Sequence, residues 1–428
     1  MKILIIHYRY FVEGGPERYL FNVTRLLEAK GHSVIPFSIA YSNNEQSEYS
    51  SYFVKPIVDN FHLSNSRIGL INKIKVAKSF IYNKAAKKQL KKLIKDTNPD
   101  IAYILIYSGK LTYSVLEACK EMNLPVVHRI SEFYHYCVKS SFFREGKVCT
   151  ECLTSPFSCV KHSCVHNSKA KSLLNYYAEQ KEKHSGIRKY ISAIICPSSF
   201  TKAIYENNCI YPNAQFYHVP TFFNFSALPI LDDNLIKERK NNMNVCYIGR
   251  ICQEKGIDAL IDAWKLVEAN NSNAKLHLTG FFEDDYCRHI KQKIKNYNLN
   301  NIICYDFLPK EKTFDIINNS CLSLTPSIWY DNMPNSFIES QAYGLPVIAT
   351  DIGSLTELVQ DGVNGYLFEK NNPNELFKKI IMVLNMPNDE YIEVAKNSFK
   401  FISEYCSSEN HYDKIINVFT NTIEKRKK

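Results

Sequence analysis

Asp331, Glu339 and several turn residues lie close together in the segment TPSIWYDNMPNSFIESQAYGLPVIATDIGSLTELVQDGVNGYLF. Asp331 follows an apolar run that predicts a strand, and a short helix is predicted from about Asn335 to Gly344. The first N–H groups of a helix, here near Asn335 and Ser336, carry partial positive charge and can bind a phosphate. Glu339 is then placed to accept hydrogen bonds from ribose hydroxyls. The segment favours a nucleotide-sugar pocket, although a strand-loop-helix unit whose glycines only close turns would have a similar pattern.

A second segment, VCYIGRICQEKGIDALIDAW, places two cations between a predicted strand and a predicted helix. The strand ends at Gly249 and the helix begins near Gly256, so Arg250 and Lys255 lie in the connecting loop. Loops at the carboxyl ends of parallel strands are common ligand sites. Two positive charges there suit a diphosphate, and the alternative is a pair of solvated loop charges.

The N-terminal segment MKILIIHYRYFVEGGPERYLFNVTRLLEAKGHSV predicts a buried strand, a glycine loop and an amphipathic helix that ends at Gly31. Gly14 and Gly15 occupy the loop. Because glycine has no Cβ, the backbone there could approach a ligand closely. A single pair of glycines is weak evidence, so this loop gains meaning only beside the other two segments.

Together the three segments resemble family 4 of the retaining glycosyltransferases. The C-terminal signature of that family is an acidic pair with seven intervening residues, followed by EA-x-x-x-G-x-P-V-I-A. Asp331 stands where the family has its first glutamate, and Glu339 matches the second. The resemblance implies that Arg250 and Lys255 neutralise the leaving nucleoside diphosphate. It also implies that the GG-x-E loop, with Glu17 in register, faces the donor.

The same resemblance singles out His128, which ends the apolar run LPVVH. In the family a strand-end histidine lies near the donor sugar and orients the anomeric carbon by hydrogen bonding a sugar hydroxyl or carbonyl. Arg129 stands where relatives commonly have aspartate. Glu132 and His135 are nearby alternatives for this role.

Length and hydrophobic pattern predict an α/β protein with two doubly wound Rossmann-like domains. The chain has 428 residues, and strand-like runs alternate with helical stretches in two successive series. The predicted strands are Ile3–His7, Val34–Ser38, Ile101–Tyr107, Val126–Ile130, Ala193–Cys196 and Phe216–Val219, then Val245–Ile248, Lys275–Thr279, Ile302–Tyr305, Leu322–Leu324, Val347–Thr350 and Gly365–Phe368.

The resemblance implies that these two domains face each other across a cleft, an architecture called GT-B. The predicted acceptor-binding domain covers residues 1–223, and the predicted nucleotide-sugar-binding domain covers residues 224–405. The Asn-rich region Asn224–Asn242 is the predicted link, because its apolar periodicity lapses. Residues 406–428 are predicted to form a final helix that packs back on the first domain.

Cysteines concentrate in a predicted insertion of the first domain, at about residues 137–166. The candidate ligands there are Cys137, Cys149, Cys152, Cys159, Cys164, His162 and His166. Cys149 and Cys152 form a C-x-x-C pair, and two further thiolates would complete a tetrahedral zinc site. A similar pattern in part of family 4 implies Cys137, Cys149, Cys152 and Cys164 as the ligands of a structural zinc. Reduced thiols without metal are the alternative.

Charge and hydropathy give expectations about location and partners. The formal net charge is +10, and nine lysines without one acidic residue lie between Leu70 and Lys95. Such a basic face could bind anionic lipid headgroups, or could simply be a solvated helix. No signal peptide or membrane-spanning run is predicted, so we expect a cytoplasmic protein, peripheral on the inner face of the membrane. No nucleic-acid motif accompanies the charge, so nucleic acid is not an expected partner.

The predicted activity is transfer of a sugar, with retention, from a UDP- or GDP-linked donor to an acceptor hydroxyl. The resemblance implies a lipid-linked glycan acceptor in surface polysaccharide biosynthesis and no cofactor for catalysis. Two alternatives stay open: a nucleotide-sugar epimerase of the same fold, and a non-catalytic scaffold that has kept the fold.

Overall fold

Both predicted series of strands and helices are present. A computed structural model describes residues 1–57, 69–226 and 228–427. Each predicted strand occurs within two residues of its predicted bounds. The strands are β1 (Lys2–His7), β2 (Ser33–Phe37), β3 (Ile101–Ile106), β4 (Val126–Arg129), β5 (Phe143–Arg144), β6 (Lys147–Val148), β7 (Ala193–Cys196), β8 (Gln215–His218), β9 (Asn244–Tyr247), β10 (Lys275–Phe281), β11 (Ile302–Asp306), β12 (Leu322–Thr325), β13 (Val347–Thr350) and β14 (Gly365–Phe368).

Helices follow most of the strands. They are α1 (Gly15–Ala29), α2 (Leu70–Ile81), α3 (Lys84–Thr97), α4 (Ser114–Glu121), α5 (Glu151–Thr154), α6 (Ser158–Lys161), α7 (Lys169–Ser185), α8 (Ser199–Asn207), α9 (Asp233–Asn242), α10 (Ile257–Asn270), α11 (Asp285–Asn296), α12 (Lys310–Asn318), α13 (Asn335–Ala342), α14 (Leu355–Leu358), α15 (Pro373–Leu384), α16 (Asn388–Tyr405) and α17 (Ser408–Lys427). Single 3₁₀ turns lie at Ser50–Tyr52, Ile187–Tyr190 and Gln253–Lys255.

The first sheet has the strand order β2-β1-β3-β4-β7-β8, and every pairing in it is parallel. Strands of a parallel sheet covered on both faces are apolar throughout rather than alternating. The stretch Ile3–Ile6 in β1 is at most 1% exposed, and all of β3 is buried. Helix α1 packs its Leu20, Val23 and Leu27 stripe into this core. Chain order reverses between β1 and β3, so the loops after these two strands define the switch point of the sheet.

The second sheet repeats the design with the order β11-β10-β9-β12-β13-β14, again entirely parallel. Its core includes Val245, Leu276 and the fully buried Trp264 of α10. The two sheets confirm the predicted α/β fold with two doubly wound domains. Chain order reverses between β9 and β12, and the loops after these two strands carry most of the predicted donor-site residues.

Contacts divide the chain into two units. The first contains residues 1–142, 150–219 and 411–428, and the second contains residues 143–149 and 220–410. In the first unit, His411 Nε2 of α17 lies 3.0 Å from the Tyr19 hydroxyl, and the Tyr412 hydroxyl lies 2.9 Å from His32 Nε2. These contacts hold the last helix against α1 and the loop that follows it.

Two features differ from the expectation. The predicted link at Asn224–Asn242 is half helical, because Asp232 caps α9 through the Leu235 N–H and Ile236 is buried against the second core. The β5–β6 hairpin, which we placed with the first domain, belongs to the second unit. Its Val148 packs against the apolar cluster that contains Met333 and Phe337.

Candidate active site

The loops after β9 and β12 meet at the switch point of the second sheet. Lys255 Nζ lies 2.6 Å from Asp331 Oδ2, so the structure brings together two residues predicted from separate segments. The Ile328 N–H donates to the Glu254 carbonyl at 2.9 Å and joins the loops through their backbones. Gly256 has φ +71°, and a Cβ there would lie 1.9 Å from the Pro326 carbonyl oxygen. Glycine is therefore required where α10 begins beside the β12 loop.

Asp331 is held firmly, although it stands where family members have glutamate. It is 7% exposed and accepts hydrogen bonds from Lys255 and from the Ser327 hydroxyl at 2.8 Å. Its carbonyl accepts from the Ser354 hydroxyl at 2.6 Å, and the same hydroxyl accepts from the Met333 N–H at 3.2 Å. The aspartate thus reaches Lys255 despite its shorter side chain.

Helix α13 begins directly after this turn. Pro334 precedes the helix and provides no side-chain cap. The first N–H groups of a helix have no acceptor within the helix, so those at Asn335 and Ser336 point toward the space before α13. Glu339, one turn later, is only 6% exposed. The start of α13 therefore combines donors suited to an anion with a largely buried carboxylate.

Arg250 contributes an exposed positive charge on the same loop as Lys255. Its side chain is 63% exposed, and its nearest ion-pair contact is Glu254 at 3.8 Å. Lys255 also lies 5.4 Å from the centre of the Trp329 ring, so an aromatic face flanks the cation. Two cations, one carboxylate and a helix N-terminus are the elements needed to bind a diphosphate and to orient the group attached to it.

In the first unit, Gly14 and Gly15 lie where β1 passes into α1. Glu17 accepts from the Gly14 N–H at 2.9 Å and from Arg9 Nη1 at 3.0 Å, and it is 1% exposed. This carboxylate therefore stabilises its own loop as part of a capping arrangement. Gly14 has φ −154°, which any residue adopts, so the backbone conformation alone does not require glycine at position 14.

His128 is the next-to-last residue of β4 and is 5% exposed. Its Nδ1 lies 3.0 Å from the Ile104 carbonyl oxygen, which can only accept, so Nδ1 carries the proton. Burial, followed by the neighbouring charge of His135, lowers the pKa of His128 to about 3. The ring is therefore neutral near pH 7, and its Nε2 can accept a hydrogen bond from a hydroxyl but cannot donate one to a carbonyl.

The two alternatives to His128 have different surroundings. His135 Nδ1 lies 3.2 Å from Glu179 Oε2 and 2.9 Å from Arg188 Nη2, inside a buried cluster of charges. Burial would raise the pKa of Glu179, but Arg188 and His135 outweigh that effect and hold it below its usual value. Burial raises the pKa of Glu132. His135 is thus part of a structural charge network.

The predicted zinc ligands lie in both units. Cys149 groups with the second unit, whereas Cys137, Cys152 and Cys164 belong to the first. A hydrogen bond between the Cys152 and Cys159 thiols lowers the pKa of Cys159 and raises that of Cys152.

The closest group of metal-ligand side chains contains no cysteine. Among the described residues, three or more ligand atoms within 4.8 Å of one another occur only in the group His135, Glu179 and Glu182. Arg188 already neutralises that group. The four-cysteine zinc site therefore stays a prediction.

Three residues of the second unit escaped the sequence analysis. Ser327 and Ser354 position Asp331 and its turn, and Trp329 flanks Lys255. The spacing of Ser327 and Trp329 from Asp331 could have identified them as neighbours in the loop. Ser354 is 23 residues away and has no local signal, because its contact depends on β12 and β13 lying side by side.

Known proteins share both the sequence pattern and the fold. The uncharacterized glycosyltransferase MJ1178 of Methanocaldococcus jannaschii is 33% identical over 166 residues, 38% of this chain and 44% of that protein. The capsular polysaccharide biosynthesis glycosyltransferase CapM of Staphylococcus aureus is 24% identical over 196 residues, 44% of this chain and 50% of CapM. The chain thus spans about half the length of the curated relatives it matches.

The solved structure of Anabaena HepE in complex with UDP-glucose aligns with a TM-score of 0.64 at 16% identity, over 98% of this chain and all of HepE. This likeness shows the fold. Among the described residues, no helix is long and apolar enough to cross a membrane.

Two family models match the sequence. Residues 232–401 match glycosyl transferases group 1, and residues 13–226, half of the chain, match Glycosyltransferase Family 4. The chain therefore belongs to glycosyltransferase family 4.

Proposed function

We propose that the chain is a retaining glycosyltransferase that takes its sugar from a uridine diphosphate donor. The observation that carries this proposal is the pairing of Lys255 with Asp331 beside the exposed Arg250 and the start of α13. A hydrolase would not need two cations beside its carboxylates, whereas a transferase must stabilise a diphosphate leaving group. The choice of uridine is supported by the UDP-glucose complex of HepE, which shares the fold.

In this proposal the cations act most strongly when the glycosidic bond breaks. Lys255 leaves Asp331 for the diphosphate, and Arg250 and the α13 N–H groups complete the anion site. Asp331 then orients the donor sugar, and Glu339 accepts from the ribose hydroxyls. The acceptor hydroxyl attacks from the face that the diphosphate leaves. Its proton passes to the departing phosphate oxygen, which keeps the anomeric configuration.

His128 is proposed to contact a hydroxyl of the donor sugar. Because its Nδ1 proton is directed to the Ile104 carbonyl, its role would be that of an acceptor through Nε2. A His128→Gln variant, which can donate as well as accept, should lower turnover more than it weakens UDP binding.

The proposed acceptor is a glycan in surface polysaccharide synthesis, carried on a lipid. The likeness to CapM, named for capsular polysaccharide biosynthesis, supports a polysaccharide product. The run of lysines on α2 and α3 supports work beside an anionic membrane surface, because such runs are attracted to acidic lipids.

We also propose a structural zinc held by Cys137, Cys149, Cys152 and Cys164, since four thiolates suit that ion. Cys159 is a competing ligand, because its thiol contacts that of Cys152. Zinc content of purified protein, measured for Cys149→Ser and Cys159→Ser, separates the two sets. The ligand variant should lose zinc and the other should keep it, and metal-free wild-type protein would refute the site.

The central test is a thermal-shift panel with UDP, GDP and their common sugars on wild-type protein, Lys255→Ala and Lys312→Ala. A ligand at a hundred times its Kd stabilises the folded state by about 2.7 kcal/mol. We expect UDP compounds to raise the midpoint of wild-type and of the exposed-lysine control Lys312→Ala, but not of Lys255→Ala. Stabilisation by GDP compounds alone would correct the base, and no shift by any nucleotide would refute the donor site.

Incubation of the enzyme with donor alone distinguishes a transferase from a nucleotide-sugar epimerase. An epimerase would convert the donor sugar without any acceptor, whereas a transferase would leave it intact apart from slow hydrolysis.

A further inference from the structure

A cavity lies in the first unit, and none of the predicted donor-site residues lines it. It has a volume of about 650 Å³, within the range of small-molecule sites. Residues from α2, from the start of α3, from α7 and from the chain between Ile39 and Ile57 line it. Much of its wall is apolar and includes Val54, Val76 and Phe80. Apolar walls favour a hydrocarbon over a sugar or a nucleotide, because buried hydroxyls would lose their hydrogen bonds to water.

Lysines surround this apolar interior. The lining contains Lys55, Lys78, Lys84, Lys110 and Lys181, and no Asp or Glu of the described chain lines it. Lys55, Lys78, Lys84 and Lys181 are exposed and form no ion pair with a described carboxylate. Burial and then the charge of Arg9 lower the pKa of Lys110. Among the described residues, no carboxylate therefore balances Lys55, Lys78, Lys84 or Lys181.

Helix α2 presents both apolar and basic side chains at the surface beside the cavity. Ile71 is 71% exposed and Ile74 is 49% exposed, although both are large apolar residues. Lys73 and Lys75 lie between and beside them, and α2 contains no acidic residue. Exposed isoleucines flanked by lysines are typical of a helix that rests on an anionic lipid surface.

We propose that this cavity binds the hydrocarbon chain of a lipid phosphate and that the surrounding lysines bind its phosphate. The apolar walls account for the chain and the four exposed lysines account for the anion, so one amphiphile satisfies both features. The inference rests on the proposed transferase function, since such a lipid would be the carrier of the acceptor glycan. It assigns the carrier end of that acceptor to the first unit.

The test uses octyl, decyl and dodecyl phosphate below their micelle concentrations, with binding to the full chain measured by calorimetry. Burial of each added methylene should tighten Kd about fourfold, so decyl phosphate should bind roughly fifteenfold more tightly than octyl phosphate. Decanol and inorganic phosphate should each bind much more weakly than decyl phosphate. An affinity that does not change with chain length, or decanol binding as tightly as decyl phosphate, would overturn the proposal.

Two kinds of variant locate the site. Ala85 is exposed at the start of α3 and lines the cavity, so Ala85→Trp should fill it and weaken decyl phosphate binding at least tenfold. The double variant Lys84→Gln, Lys181→Gln should also weaken it. The matched control Lys88→Gln, Lys95→Gln removes two exposed lysines of α3 outside the lining and should leave Kd unchanged. Equal losses in both doubles would show nonspecific attraction and refute the site.

UDP binding, measured on the same samples, separates this inference from the proposed function. Cavity variants that bind UDP normally but bind decyl phosphate weakly support both. Wild-type protein that binds UDP and fails to bind any alkyl phosphate overturns the cavity proposal alone. Protein that binds alkyl phosphate with the expected chain dependence and fails to bind UDP overturns the donor site alone.

Discussion

Two short ion pairs, one in each unit, have the same separation and different surroundings. Lys255 Nζ lies 2.6 Å from Asp331 Oδ2, and Arg188 Nη2 lies 2.6 Å from Glu179 Oε1. The Lys255 side chain is 16% exposed, in a loop at the edge of its sheet, whereas the Arg188 side chain is 4% exposed. Distance alone therefore does not separate a ligand site from a structural contact.

The neighbours of the two pairs make the difference. Arg188 also binds Glu182, whose carboxylate accepts from the Tyr107 hydroxyl at 2.7 Å, so protein groups surround the charges. Lys255 has Arg250 on its own loop, a second cation that is mostly exposed. If an incoming diphosphate took both cations of the open site, Asp331 would keep the hydrogen bond from the Ser327 hydroxyl. Arg188 cannot exchange its partners for a ligand in this way, because two buried carboxylates would then be left without a cation.

The largest effect expected from this comparison is on catalysis. Lys255→Ala should lower kcat/KM by roughly a hundred- to a thousandfold, as is typical for removal of one group that stabilises transition-state charge. The free energy of unfolding should fall by about 1–3 kcal/mol, since Asp331 is largely buried and keeps only the hydrogen bond from Ser327. Sugar transfer from the donor identified in the thermal-shift panel measures the first quantity, and urea unfolding measures the second. Wild-type turnover in this variant would show that the pair is structural.

The buried pair should respond in the opposite way. Arg188→Met leaves Glu179 and Glu182 without their cation, which should lower the free energy of unfolding by about 3–5 kcal/mol. UDP affinity of the variant, measured at a temperature where it remains folded, should equal that of wild-type protein. A stable Arg188→Met protein that has lost UDP binding would reverse the assignment of the two pairs.

The sequence predicted the parts of the open site better than their arrangement. Arg250, Lys255 and Asp331 follow apolar runs, and such runs identify strand ends without knowledge of the fold. That Lys255 meets Asp331 depends on β9 lying beside β12, which is a property of strand order. The first helix was also predictable, since Leu20, Val23 and Leu27 form one stripe. The period of an apolar pattern therefore specifies elements, while contacts between distant loops require the topology.

The two misplaced elements have a related cause. Helix α9 buries Ile236 and Arg239 within a largely polar sequence, so its apolar stripe was too narrow to recognise. The β5–β6 hairpin has a two-residue turn, Glu145 and Gly146, but its strands are only two residues long. Its membership in the second unit depends on Val148 finding the Phe337 cluster, a tertiary contact that local pattern does not contain.

Buried histidines should make the free energy of unfolding depend on pH, which is an effect of intermediate size. Burial lowers the pKa of both His7 and His128 to about 3, whereas an unfolded histidine titrates near 6.5. Between these values the unfolded chain binds protons that the folded chain does not, so stability is greatest above pH 6.5 and falls as the pH drops toward 3. Each histidine should contribute roughly 2 kcal/mol of destabilisation at pH 5.

A substitution of one buried histidine tests the size of this destabilisation. His128→Asn keeps a donor for the Ile104 carbonyl and removes the titration, so its loss of stability between pH 7 and pH 5 should be smaller than that of wild-type protein by about 2 kcal/mol. His184→Asn, at an exposed site on α7, is the matched control and should leave the pH dependence unchanged. Equal slopes for wild-type and His128→Asn protein would mean that the ring is not buried in its neutral form.

The smallest expected effect concerns what holds the open pair in place. Ser354 is fully buried, and its hydroxyl joins the Asp331 carbonyl to the Met333 N–H. Ser354→Ala leaves both backbone groups without that partner, which should cost about 1–3 kcal/mol of stability.

Because the turn carries Asp331, we expect KM for the donor to rise about tenfold in Ser354→Ala, equivalent to 1.4 kcal/mol of lost binding, with kcat less affected. Thr356→Ala, which removes an exposed hydroxyl in the first turn of α14, should change neither constant. A Ser354→Ala enzyme that is less stable but has an unchanged KM would show that the turn keeps its shape without the clamp, and that Lys255 alone positions Asp331.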